Sequence, residues 1–89
     1  MVEYKILYSE FALKDAKKLS SANLAIKAKD LIELIRKSPF QNPPPYEKLV
    51  GNLNGSYSRR INIKHRIVYE VKEIEKVIRI SRMWSHYGK

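Results

Sequence analysis

Two stretches in the C-terminal half, YSRRINIKHRIVYEV at residues 57–71 and VIRISRMWSHY at residues 77–87, decide the fold. Both alternate apolar with polar residues and are rich in β-branched and aromatic side chains, which is typical of strands with one buried face. The first stretch predicts two strands, 57–63 and 66–71, joined by a short turn. The second predicts a last strand, 77–84. The C-terminal half therefore predicts three consecutive antiparallel strands.

The N-terminal half predicts one strand followed by two helices. Residues 2–8 alternate as a half-buried strand does. Ser9 is of the type that caps a helix, and apolar residues recur at helical spacing over residues 11–19. A second helix is predicted over residues 22–37, where apolar residues recur every three or four positions. It ends before Pro39, because the residue that precedes a proline is pushed away from helical dihedral angles.

The order of these elements, β-α-α-β-β-β, predicts an α+β fold in which two N-terminal helices cover one face of a mostly antiparallel sheet. Residues 42–45, NPPP, predict a stiff, extended connector, and the length of 89 residues predicts a single domain over 1–89. Alternation along the C-terminal strands gives the predicted buried side: Ile61, Ile63, Ile67, Tyr69, Val71, Ile78 and Ile80.

The charge of the chain points to a polyanionic partner. Lysine and arginine number 18 against 9 aspartates and glutamates, which gives a net charge of +9. The positive electrostatic field of such a chain favours binding of nucleic acid, with an acidic protein as the next candidate partner. A lysine-rich solvated surface without either partner is the alternative that charge alone leaves open.

The composition also excludes several classes of protein. The chain has no cysteine, which rules out disulfides and thiolate chemistry and suits a reducing cytosol. No segment approaches the roughly 20 apolar residues of a membrane span, and the N-terminus lacks a signal-peptide pattern, so we expect a cytoplasmic protein without a membrane partner. The 2 histidines make no recognisable metal-ligand spacing, and there is no glycine-rich phosphate loop. We therefore expect neither a metal nor another cofactor.

Five short motifs follow one another through most of the chain: PYEKL at 45–49, GNLNG at 51–55, YSRRI at 57–61, HRIVY at 65–69 and the pair His86-Tyr87. In this order and spacing they resemble the YoeB/Txe family of bacterial toxins, within the RelE/ParE superfamily. The resemblance implies a RelE-like fold, in agreement with the order of elements. It also implies the toxin half of a toxin-antitoxin pair, a ribosome-dependent endoribonuclease that cleaves mRNA in the ribosomal A site.

The resemblance assigns the chemistry to individual residues of this chain. Glu47 would be the general base that takes the 2′-hydroxyl proton, and Arg66 would stabilise the phosphorane. His86 would be the general acid for the leaving 5′-oxygen, because an imidazole titrates near neutral pH. Tyr87 would position the substrate or stack on a base. The expected RNA-binding residues are Lys48, Arg59, Arg60 and Arg82.

Plainer interpretations stand beside these. Without the family motif, Glu47 beside Lys48 would be a solvated ion pair, and we expect His65 to have a structural role in its turn. Arg82 falls on the same side as Ile78 and Ile80 unless a bulge intervenes. A toxin of the same fold that binds a protein such as gyrase, or a basic RNA-binding module that does not cleave, would not need Glu47 together with a terminal histidine.

The resemblance also implies partners. mRNA on the ribosome is the expected substrate, and an antitoxin, acidic or with a segment that folds over the basic surface, is the expected inhibitor. A homodimer is allowed, although the sequence does not decide it. No metal is expected to take part in the cleavage.

Overall fold

The computed structural model describes residues 3–50 and 55–84. Its order of elements confirms the α+β architecture and adds one short strand that the sequence does not predict. The elements are β1 (Lys5–Tyr8), α1 (Glu10–Ser21), α2 (Ala25–Lys37), β2 (Glu47–Lys48), β3 (Ser56–Arg60), β4 (Arg66–Lys72) and β5 (Val77–Arg82).

The strands form one 5-stranded sheet in the order β1-β5-β4-β3-β2. β1 pairs with β5 in parallel, and the other neighbours are antiparallel. The parallel pair is possible because two helices and three strands separate β1 from β5 along the chain, far more than the dozen or so residues that a parallel connection needs. The three C-terminal strands thus occupy adjacent places, as predicted, and the unpredicted β2 lies at one edge beside β3.

Local sequence explains where the helices begin. The hydroxyl of Ser9 accepts a hydrogen bond from the Ala12 amide at 3.0 Å, which is the predicted cap of α1. α2 begins at Ala25 rather than at residue 22 because Asn23 adopts a φ of 63°, a left-handed conformation that asparagine tolerates better than most residues and that interrupts a helix. α2 ends before Ser38, as expected.

The core lies between the helices and one face of the sheet. It contains most of the residues that alternation predicts, with one correction: Ile63 is 84% exposed. Strand β3 ends at Arg60, and residues 61–65 form a loop in which the Asn62 side-chain oxygen accepts from the Lys64 and His65 amides. The buried apolar residues of the core are Ala12, Leu19, Ala28, Ile32, Ile35, Ile61, Ile67, Tyr69, Ile78, Ile80 and Met83.

The proline-rich connector differs from its prediction. Residues 42–44 bend rather than run extended, and the chain returns to the sheet edge at Glu47. Along residues 3–50 and 55–84, no helix has the length and apolar character needed to cross a membrane.

Candidate active site

A hollow of about 230 Å³ lies at the β2 edge of the sheet. Cα pairing across the sheet brings Glu47 beside Ser58 and Arg60 beside Arg66. Because Ile67 belongs to the core, its strand neighbour Arg66 points to the opposite face, away from the helices. The hollow is lined by Pro45, Tyr46, Glu47, Ser58, Arg60 and Arg66.

Glu47 and Arg66, predicted as base and transition-state stabiliser, meet in this hollow. The Arg66 guanidinium donates to Glu47 Oε1 at 2.6 Å and lies 3.5 Å from the Ser58 hydroxyl. The Glu47 side chain is 64% exposed and that of Arg66 is 18% exposed. An exposed carboxylate can accept a proton, and the guanidinium beside it can bind a phosphate group.

The neighbours of this pair differ in how they face the hollow. Arg60 is exposed and lines the hollow, and RNA binding by Arg60 stays a prediction. Lys48 is also exposed, but it follows Glu47 in a strand and pairs with Tyr57, so its side chain points to the other face. Ser58 was not predicted for the site. The signal was present, since strand alternation places Ser58 on the same face as Arg60.

Arg59 does not fit its predicted role in RNA binding. The residue is 1% exposed, so its charge is not presented to a ligand at the surface. It alternates with Ser58 and Arg60 and therefore lies on the core side of β3. Its guanidinium lies 5.1 Å from the ring of Tyr46 and donates to the Tyr69 hydroxyl at 3.2 Å and to the carbonyls of Pro44 at 2.6 Å, Gln41 at 2.8 Å and Pro39 at 3.1 Å.

Arg82 is tied to helix α1. Its Nε donates to Asp15 Oδ2 at 2.8 Å, and its guanidinium lies 5.2 Å from the ring of Phe11. A bulge does separate Arg82 from the side of Ile78 and Ile80, because the register between β4 and β5 shifts between Val68 and Tyr69. RNA binding by Arg82 stays a prediction.

Asp15 is a second ionisable group that the sequence did not single out. It is 1% exposed and accepts from both Arg82 and the Met83 amide. Burial alone raises the pKa of Asp15, but these hydrogen bonds and the positive charges of Arg82 and Lys18 outweigh burial and hold the pKa below its usual value. Its partner lies 67 positions away in the sequence, so no local pattern announces the pair.

His65 has contacts of the structural kind that was expected. Its Nδ1 lies 2.6 Å from the Trp84 carbonyl oxygen, and the two rings stack with centroids 4.1 Å apart. These contacts link the β3–β4 loop to the residues that follow β5. The predicted acid His86 and the predicted Tyr87 lie outside the described residues, so their roles stay predictions.

A family model described as the YoeB-like toxin of bacterial type II toxin-antitoxin systems matches residues 8–87. The chain belongs to this YoeB toxin family. Among curated relatives, toxin YoeB of Synechocystis sp. is 39% identical over 82 residues, which cover 92% of this chain and 86% of that protein.

Solved YoeB structures share the fold. The YoeB/ParE toxin from Agrobacterium tumefaciens superposes with a TM-score of 0.84 at 28% identity, covering 93% of this chain and 99% of that one. YoeB in the YoeB-YefM complex from Staphylococcus aureus superposes with a TM-score of 0.78 at 35% identity, covering 97% and 100%. The Staphylococcus protein has also been solved as a dimer. The RelE-like fold expected from the sequence is thereby confirmed.

Proposed function

We propose that this YoeB-family protein is an endoribonuclease that cleaves mRNA in the ribosomal A site and so inhibits translation. The observation that carries the proposal is the contact between Glu47 and Arg66 in a hollow that Arg60 also lines. Membership of a family of type II toxins supports the biological role, and the net charge of +9 supports a polyanionic substrate.

The cleavage is an internal transfer that needs no metal. Glu47 takes the proton of a ribose 2′-hydroxyl, and the 2′-oxygen attacks the adjacent phosphorus. Arg66 binds the phosphorane oxygens, where two parallel donors match two oxygens. His86 donates a proton to the 5′-oxygen as the P–O bond breaks. The products are a 2′,3′-cyclic phosphate, which can open to a 3′-phosphate, and a 5′-hydroxyl end.

The exposure of the two side chains suits this sequence of events. Arg66 is largely enclosed by the sheet, so its position is set before substrate arrives, whereas the carboxylate of Glu47 is open to an incoming ribose. In the absence of RNA, the Arg66 guanidinium donates its hydrogen bond to the Glu47 carboxylate. A substrate phosphate would replace the carboxylate as the partner of Arg66 and release Glu47 to act as a base.

The test is cleavage of a defined mRNA on translating ribosomes, followed by primer extension. We expect discrete cuts within the reading frame, which disappear when the nucleotide on the 5′ side of the cut carries a 2′-deoxy sugar. Cutting that persists with the deoxy sugar would rule out attack by the 2′-hydroxyl. Salt-dependent binding without cuts would favour a non-cleaving RNA-binding module, and neither binding nor cuts would favour a protein target.

We also propose that a cognate antitoxin binds and neutralises this protein in the cytoplasm. The chain belongs to a family of toxins from type II toxin-antitoxin systems, and the Staphylococcus relative was solved with YefM. A homodimer is a further proposal, since the same relative was solved as a dimer. Sedimentation of the purified toxin, alone and with the product of a neighbouring small reading frame, tests both.

A further inference from the structure

Arg59 is a charged side chain that the cleavage chemistry does not use. It is 1% exposed, and burying a guanidinium is costly unless its donors are satisfied. Among the described residues no carboxylate forms a salt bridge with it. Its partners are instead three backbone carbonyls and a tyrosine hydroxyl. These hydrogen bonds offset the cost of burying the guanidinium, and three of them go to the backbone of one segment.

The three carbonyls belong to one segment, the connector between α2 and β2. Arg59 reaches its start at Pro39, its middle at Gln41 and its end at Pro44, with distances of 3.1, 2.8 and 2.6 Å. The Tyr69 hydroxyl donates to the Pro39 carbonyl at 2.8 Å and thus holds the same segment. Two side chains of the sheet, chiefly that of Arg59, therefore fix the path of a connector that contains no helix or strand.

The connector leads directly into the site. Pro45 and Tyr46 line the hollow, and the next residue is Glu47. The ring of Tyr46 lies 5.1 Å from the Arg59 guanidinium and packs edge-to-face on Tyr57. The proposed base is consequently held from two sides: its backbone pairs with Ser58, and the residues before it are bound by Arg59.

We infer that Arg59 is a positioning residue, which acts through the proline-rich connector to place the carboxylate of Glu47 for proton abstraction. The inference rests on the proposed function. A strand makes this arrangement possible because adjacent residues face opposite sides. Arg60 and Ser58 contribute to the hollow, while Arg59 between them supports the connector from behind. Displacement of a reacting group by about 1 Å can lower a rate by about a hundredfold, so this support matters for rate.

A double-mutant cycle between Arg59→Lys and Glu47→Gln tests the inference, with single-turnover cleavage on programmed ribosomes as the measurement. Lysine keeps the charge, but its single ammonium group lacks the planar fork by which the arginine guanidinium contacts three carbonyls. We expect Arg59→Lys to lower the maximal rate by about tenfold to a hundredfold with unchanged affinity for the ribosome. Glu47→Gln should then cost much less in the Arg59→Lys background than in the wild type. Arg36→Lys, which changes an arginine on α2, is the matched control and should leave the rate unchanged.

A second variant keeps the test decisive if Arg59→Lys folds poorly. Tyr69→Phe removes only the hydroxyl that contacts both Arg59 and Pro39, and it should show the same pattern with a smaller loss. Independent, multiplicative effects with Glu47→Gln, or a loss of affinity in place of rate, would overturn the role of Arg59. Absence of cuts with the wild-type protein would instead overturn the proposed function. Wild-type cleavage by Glu47→Gln would leave that function standing and overturn the inference, because Arg59 would then have no base to position. The two failures are therefore distinguishable.

Discussion

Arg66 Nη1 lies 2.6 Å from Glu47 Oε1, yet the two side chains differ in exposure, 18% against 64%. An ion pair with one exposed partner contributes little to folding, about 0–1 kcal/mol. Stability therefore does not explain why these groups meet at the edge of the sheet. The contact is better explained by the proposed active site, in which the Arg66 guanidinium is mostly buried and the Glu47 carboxylate is open to substrate. The predictions for activity follow from this contact.

Arg66→Ala should lower mRNA cleavage by about a hundredfold to a thousandfold, the usual cost of losing a donor to the transition state. Arg66→Lys should fall between the alanine variant and the wild type, because an ammonium does not offer two parallel donors. Primer extension measures the cuts, and relief of growth arrest gives the readout in cells. Arg79→Ala, at an exposed arginine on β5, is the control. Full toxicity of Arg66→Ala would remove Arg66 from the site.

His86→Ala should also abolish cleavage, since the leaving 5′-oxygen would lack its acid. The melting temperature of this variant should stay at the wild-type value. His65→Ala is the informative comparison, because it loses the contact with the Trp84 carbonyl and the stacked ring and should melt at a lower temperature. Wild-type cleavage by His86→Ala would show that another group supplies the proton.

Arg60→Gln should weaken binding of a non-cleavable 2′-O-methyl RNA and reduce the salt slope. If Arg60 neutralises one phosphate, the slope of log K against log salt should fall by about one. Fluorescence anisotropy at several salt concentrations measures it. Arg36→Gln removes the same charge from a surface pair with Glu33 on α2 and should leave the slope unaltered. Equal slopes for wild type and Arg60→Gln would contradict a phosphate contact.

Local patterns predicted most of the fold, and the exceptions depend on contacts distant in sequence. Alternation and helical spacing gave both helices, the strand order along the chain and most of the core, because each pattern depends on neighbouring residues. Strand β2 contains 2 residues and forms only because β3 lies beside it. The early end of β3 at Arg60 reflects the turn around Asn62, which exposes Ile63.

The residues of the candidate site could be named from the sequence, but their arrangement could not. Glu47, Arg60 and Arg66, which the family resemblance singles out, line one hollow, and their roles stay predictions. Arg59 and Arg60 are adjacent and chemically identical, so the motif alone gives them one role. Strand alternation separates them, because Arg59 shares the side of the predicted core residue Ile61, and in the structure it lies opposite the buried Ile67. The hydrogen bonds of Arg59 to connector carbonyls 15 and 20 positions away could not be predicted from the motif.

Ser9→Ala should destabilise the fold by about 1 kcal/mol, the usual cost of losing a serine N-cap. The hydroxyl accepts from the Ala12 amide and donates to the Ser81 carbonyl at 2.7 Å, so it also links α1 to β5. Urea unfolding followed by circular dichroism measures the change. Ser21→Ala, at the exposed C-terminal end of α1, is the matched control and should have little effect. Equal stability of both variants would show that the cap contributes nothing.

Asp15→Asn should destabilise the fold by about 2 kcal/mol at neutral pH, because buried hydrogen bonds to a charged group are lost or weakened. The folded-state pKa of Asp15 lies below the usual value of 3.8, so its stabilisation is complete above that pH and is lost as the pH falls through the folded-state pKa. The difference between wild type and Asp15→Asn should therefore be constant near neutrality and shrink in acid. Urea unfolding across this range measures it. Asp30→Asn, at an exposed position, is the control for the substitution itself and should leave stability at neutral pH near that of the wild type. A gap for Asp15→Asn that is independent of pH would contradict the lowered pKa of Asp15.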